Sequence, residues 1–164
     1  MPARVGFAEQ NCSIAQAIEV LGDGWTLMIL REAFLGTRRF AEFQRALGIS
    51  KNVLSGRLTQ LVEHGVLAQV DAGRHGTRYE YALTAKGKDL ATVLTALRQW
   101  ADRWVYGEGR EPLLVVDRRT GEPIPRLRIL DASGAPVRDR DLELRAGPGA
   151  SPATRERLAR RGSG

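Results

Sequence analysis

The sequence lacks the residues that several classes of protein need. A single cysteine, Cys12, stands among 164 residues, which excludes an intrachain disulfide framework and a cysteine-rich zinc site. No apolar run approaches the roughly 18–20 residues of a membrane helix. The first eighteen residues contain no apolar core of a secretory leader, so a cytoplasmic, reducing setting is expected and no membrane partner. There is no glycine-rich phosphate loop and no pair of carboxylates or nearby histidine beside Cys12, so neither an enzyme nor a cofactor is expected. Lysine is scarce, with only Lys51, Lys86 and Lys88, and the basic charge is carried by arginine, a bias that a GC-rich genome also produces.

What is present is ordinary in amount and uneven in placement. Hydrophobic residues make up 43% and charged residues 27%, a globular composition whose length suits one domain, or one domain with an appendage. Lys and Arg outnumber Asp and Glu by 25 to 19, a net charge of +6. Residues 38–78 hold seven basic residues against three acidic ones, or +4, so most of the excess sits in a quarter of the chain. Such a concentration points to a polyanionic partner.

Along the chain, residues 1–12 read as an arm. Ile14, Ala17, Ile18 and Leu21 follow helical spacing after Ser13, which suits an N-cap, and Gly22 and Gly24 suit a stop. A second, well-buried helix follows and ends at Gly36. Phe40, Phe43 and Leu47 mark a short helix, Gly48-Ile49-Ser50 a turn, and Ser50 the cap of a helix reaching His64, with Leu54, Leu58, Leu61 and Val62 inward. This is a helix-turn-helix pattern. Residues 66–70 and 79–83 alternate as strands around a basic, glycine-rich tip, which reads as a wing. Thr84 caps a long helix to about Tyr106, whose seam of Leu90, Leu94, Leu97, Ala101 and Trp104, widened by Val93 and Trp100, suits a helix–helix dimer. Packing of that seam on the chain's own first helix is the other reading.

From Gly107 the composition changes. Residues 107–150 carry most of the prolines and three strand-like runs around two similar turns, Thr120-Gly121-Glu122-Pro123-Ile124 and Ser133-Gly134-Ala135-Pro136-Val137. They are expected to form a small, metal-free all-β extension. Residues 151–164 read as a mobile basic tail, or as a short helix on contact with something acidic. The fold class is thus α+β, mainly α: a winged helix-turn-helix with a long C-terminal dimerisation helix and a small β extension.

On a helical wheel the helix from Ser50 to His64 turns Asn52, Gly56, Thr59 and Glu63 outward, with Val53, Ser55 and Gln60 at the edges. Amide and small side chains suit base edges in a major groove: Asn52 can pair with adenine, Val53 and Thr59 can meet thymine methyls, and Gly56 permits close approach. Arg38, Arg39, Lys51, Arg74 and Arg78 can hold phosphates, with His75 at the wing tip, and the amides at Ser50 add attraction for an anion. Arg57 lies near the inner edge of its helix and suits an internal salt bridge as well as it suits DNA.

Residues 12–104 resemble the HxlR family of bacterial winged-helix transcriptional regulators, relatives of the MarR type. The carrying motifs are Gly22-Asp23-Gly24-Trp25-Thr26, Ile29-Leu30-Arg31-Glu32, Gly36-Thr37-Arg38-Arg39-Phe40, Val53-Leu54-Ser55-Gly56-Arg57-Leu58, Leu61-Val62-Glu63-His64-Gly65-Val66 and Tyr79-Glu80-Tyr81-Ala82-Leu83-Thr84-Ala85-Lys86-Gly87. The resemblance implies a homodimer joined through its first and last helices, Ile14 and Ile18 included, on a pseudo-palindromic operator of double-stranded DNA. It implies control of a neighbouring gene, by repression first, with a small effector or an electrophile as signal. Cys12 matches the cysteine that opens the family's first helix and in some members senses electrophiles. The extension resembles a zinc ribbon, as found in longer relatives, that has lost its cysteines. An adaptor that keeps the fold without binding DNA is the alternative reading.

Overall fold

The computed structural model describes residues 7–73 and 79–161. Arg74, His75 and Arg78, expected at the wing tip, lie outside the described residues. Helix α1 covers Ser13–Leu21, α2 Gly24–Phe34, α3 Phe40–Leu47 and α4 Lys51–Glu63. Strands β1, Leu67–Asp71, and β2, Tyr79–Leu83, pair antiparallel with Leu67 opposite Leu83 and Asp71 opposite Tyr79. Helix α5, Ala85–Ala101, runs on into a π-helical turn over Asp102–Tyr106.

The core is formed where α2 meets α3, α4 and the base of the sheet. Ile29, Leu30, Phe43, Leu54, Leu58 and Leu61 are fully buried there, with Ile49, Val66 and Leu67. The three leucines recur at steps of four and three, which places one apolar stripe of α4 inward and leaves its other face to solvent. Phe43 meets Tyr81 edge to face at 6.4 Å, joining the helix-turn-helix to the sheet. The turn between α3 and α4 closes on Gly48, whose φ of +62° is a left-handed conformation. The ladder continues past β2, since the Tyr81 N–H donates to the Arg38 carbonyl at 2.8 Å.

The start of α5 is fastened to the end of α4. The Thr84 hydroxyl caps α5 at the Gly87 N–H and donates to the Gly65 carbonyl at 2.6 Å, while Lys86 Nζ reaches the His64 carbonyl at 2.7 Å. These contacts satisfy carbonyls that a helix end leaves without partners.

The structure corrects some expectations and adds detail to others. The N-cap of α1 is Cys12, in extended conformation, and Ser13 is the first helical residue. The described part of the arm, residues 7–12, is held by Gln16, which donates to the Ala8 and Gln10 carbonyls. Of the two readings of the tail, the structure has the helix, α6, Pro152–Arg161. Ser151 accepts from the Thr154 N–H, proline occupies the first helical position, and Asn11 holds the start of α6 through Ser151 and Thr154. Finally, Leu90 and Leu94 pack against the chain's own core instead of standing in an exposed seam.

Residues 107–150 contain no buried residue and, among the described residues, no continuous strand. The strand-like runs meet only in two isolated bridges, Val116 with Pro123 and Leu130 with Pro136, each closing one of the two similar turns. Aspartate organises both turns: Asp117 accepts from the Arg119 N–H at 2.8 Å, and Asp131 from the Ser133 and Ala135 N–H groups at 2.9 and 3.0 Å.

Candidate nucleic-acid interface

Ser50 caps α4 by accepting from the Val53 N–H, which fixes where the helix begins. Lys51, Asn52, Val53, Ser55, Gly56 and Thr59 of α4 are all exposed, with Asn52, Gly56 and Thr59 on the side away from its buried leucines. A Cβ added at Gly56 would meet nothing within 4 Å, so nothing inside the protein requires glycine there.

Arg38 and Arg39 flank this face at the base of the wing, about three-fifths exposed. Both turn toward Glu80 on β2, Arg39 through Nε at 3.1 Å and Arg38 through a terminal nitrogen at 3.8 Å. The Glu42 carboxylate accepts from the backbone N–H groups of Arg39 and Arg38, and these two bonds hold its pKa below the usual carboxylate value. Glu42 thereby fixes the backbone that carries the two arginines. Glu42 and Glu80 escaped the reading of the sequence as functional residues. Their signal was the two acids' position, one three residues into α3 and one on the strand beside the arginines.

Arg57 does not join the exposed face. Its guanidinium pairs with Asp23, the N-cap of α2, and donates to Gln60 Oε1 at 2.8 Å, while its buried Nε has no acceptor among the described residues. Burial raises the Asp23 pKa, but the Thr26 N–H and the Arg57 charge together outweigh it, and the net shift is downward.

Apolar side chains are also exposed on α1 and α5. Ile14 and Ile18 on α1, and Val93, Leu97, Trp100 and Trp104 along α5 and its π-turn, are exposed to between 41 and 71%. Ala101 is half-buried. The last four exposed α5 residues named recur at steps of four, three and four, the spacing of a helix–helix seam.

Cys12 is among the residues lining an open cavity of about 760 Å³ between the N-terminal segment and the turn before α6. The Ala15 and Ile14 N–H groups and, more weakly, Arg157 lower the pKa of its thiol against the opposing effect of burial. Among the described residues no group of three or more His, Cys, Asp or Glu could hold a metal ion. No described helix is long and apolar enough to cross a membrane.

A helix-turn-helix with an exposed second helix, followed by a two-stranded wing with arginines at its base, is the architecture of a winged-helix transcription regulator. Residues 20–108 match the HxlR-like helix-turn-helix family. An uncharacterized HTH-type transcriptional regulator of Mycobacterium tuberculosis (strain H37Rv) is 37% identical over 137 residues, covering 84% of this chain and 87% of the relative. The crystal structure of PA1607, a candidate transcription factor, superposes with a TM-score of 0.76 at 40% identity over 83% of this chain and 95% of that one. A second candidate transcription factor, PA1374 from Pseudomonas aeruginosa, gives 0.63 at 38% identity over 90% of this chain and 100% of the other. The chain belongs to the HxlR-like helix-turn-helix family and is a DNA-binding transcription regulator. The coverage of both crystal structures exceeds what residues 1–108 could supply, so the likeness reaches into the extension.

Proposed function

We propose that the protein acts as a homodimer that reads a pseudo-palindromic operator and represses a neighbouring gene. The exposed face of α4 carries this reading. Asn52 can pair with a base edge, Val53 and Thr59 can meet methyl groups, and Gly56 lets the helix approach closely. Ser50, Lys51, Ser55, Arg38 and Arg39 address the backbone, joined by Arg74, His75 and Arg78, which lie outside the described residues.

The partner of the apolar stripe on α1 and α5 is a second copy of the chain. Six half-exposed apolar side chains, two of them tryptophan, are costly to leave in water and are spaced for a helix pair. A two-fold dimer places two α4 helices about one DNA turn apart, and the operator mirrors that symmetry.

The signal that releases the operator is a small effector or modification of Cys12. The lowered thiol pKa and the cavity that Cys12 lines support reaction with an electrophile.

A band-shift titration with the gene's own upstream DNA against scrambled duplex, with and without a quinone, tests the whole reading. Specific binding lost in Trp100→Asp, together with monomerisation, supports the dimer. Binding abolished by quinone in the native chain and kept in Cys12→Ser supports the thiol switch. Equal affinity for both duplexes at every salt concentration rejects operator recognition.

A further inference from the structure

Helix α5 divides its surroundings among three faces. Leu90 and Leu94 meet the core, and Val93, Leu97, Trp100 and Trp104 form the exposed stripe. At 100° per residue, Arg98, Gln99 and Asp102 lie roughly 130–170° from the centre of that stripe. On this third side Gln99 clasps the extension, donating to the Pro125 carbonyl at 3.2 Å and accepting from the Leu127 N–H at 2.8 Å.

Beside the clasp a cavity of about 600 Å³ opens between α5 and the extension, within the size range of small-molecule sites. Asp102 and Arg103, at the start of the π-helical turn, line it, and such turns are frequent at functional sites. Leu113, Leu114 and Ile124 give it an apolar wall. A dimer joined through the stripe leaves this side of α5 open.

The charges around the cavity are of both signs and are not spent on one another. Glu111 accepts from the Gly109 N–H, and Arg103 stacks on Trp104 at 4.7 Å. The side chains of Arg98, Arg126, Asp102 and Glu108 also line it, and none of them has an ion pair or hydrogen bond among the described residues. A simple anion would answer the two arginines and be repelled by the two carboxylates, and a simple cation would do the reverse. One ligand with both charges and an apolar body answers all four and the wall.

We propose that this cavity binds an apolar zwitterion, between an aromatic amino acid and an apolar dipeptide in size. Its carboxylate sits on Arg98 and Arg126, its ammonium on Asp102 and Glu108, and its side chains on Leu113, Leu114 and Ile124. Arginine's planar fork suits the carboxylate. Ligand contact on both α5 and the extension tightens the joint that Gln99 makes. Any consequence for operator affinity rests on the DNA reading above, whereas the binding itself does not.

The test is calorimetric titration of the full chain. The probes are phenylalanine, leucylphenylalanine, its N-acetyl form without the ammonium, and its amide without the carboxylate. Saturable binding of at least one zwitterion is expected, with both blocked dipeptides weaker by about tenfold or more. Arg126→Ala is expected to lose the discrimination between acid and amide, and Asp102→Asn that between free and acetylated amine, each with an unchanged circular dichroism spectrum. Absence of saturable binding, equal binding of a blocked dipeptide, or binding indifferent to both substitutions overturns the proposal. All three outcomes are read without DNA, so they leave the operator reading standing or falling on its own test.

Discussion

Gly87, at the first turn of α5, lies directly against the carbonyl of Val66: a Cβ added there would stand 2.2 Å from that oxygen and 3.0 Å from a Leu83 methyl. Val66 also accepts the Thr84 N–H, so this carbonyl is the point at which α5 is fastened to the helix-turn-helix. Gly87→Ala forces the two apart, and an overpacked site of this kind costs about 1–3 kcal/mol. A fall in Tm of roughly 3–10 °C is expected by calorimetry. An unchanged Tm would mean that the α5 start slides without cost and is not a rigid joint.

Gly56 gives the opposite result. It is in the middle of α4, exposed, and a Cβ would meet nothing. Gly56→Ala therefore stabilises the helix, by about 1 kcal/mol on propensity alone. If α4 lies in a major groove, the same methyl faces the bases and weakens specific binding while sparing non-specific binding. A variant that melts higher and binds its operator less tightly is expected. Gain in stability with unaltered specific affinity would place Gly56 outside the groove.

Asp23 and Arg57 join the caps and cores of α2 and α4, and their side chains are 29 and 21% exposed. The pair is neither a surface bridge nor fully buried, and a coupling of about 1–2 kcal/mol between the two values is expected from a double-mutant cycle using Asp23→Asn and Arg57→Met. Because the folded-state pKa of Asp23 is lowered, its contribution is fully present above the ordinary carboxylate pKa of about 4. It is lost as pH falls through the lower folded value. The native chain should thus exceed Asp23→Asn in stability at pH 7 and converge with it in acid. A difference that stays constant down to pH 2 would assign the effect to shape instead of charge.

The helix-turn-helix was legible in the sequence because its signals are local. Ser50, Gly48 and Thr84 set helix ends within four residues of where they stand, and Leu54, Leu58 and Leu61 repeat along one helix. What was not legible depends on distance in sequence. The α5 seam has one period, and spacing alone does not say that Leu90 and Leu94 turn to the chain's own core while Val93 and Leu97 turn away. The pairing of Arg57 with Asp23 spans 34 positions, and that of Asn11 with Ser151 spans 140. The tail reads as a mobile segment or a short helix until Asn11 is brought to its N-terminus. In the extension, apolar runs resembled strands, but no second layer covers them within this chain, and the turns closed by Asp117 and Asp131 hold their shape with single bridges.

Glu80 sets the strength of the arginine pair that the DNA reading depends on. Its carboxylate is only 19% exposed, and Arg38 and Arg39 reach it from the side of α3 while keeping most of their own surface in water. A phosphate bound by these arginines would stand some 6–7 Å from the Glu80 charge, a repulsion of about 0.6–2.5 kcal/mol between surface and bulk dielectric limits. Holding the guanidinium groups in place offsets a smaller amount, since exposed pairs contribute about 0–1 kcal/mol. Repulsion wins, so Glu80→Gln is expected to bind any duplex about three- to tenfold more tightly at low salt. The gain should fade as salt rises, because the added attraction is screened. The specificity ratio should drop, because the extra affinity reads no base. If Glu80→Gln instead binds more weakly with the same salt slope, the carboxylate serves to aim the guanidinium groups and its negative charge is not the governing effect.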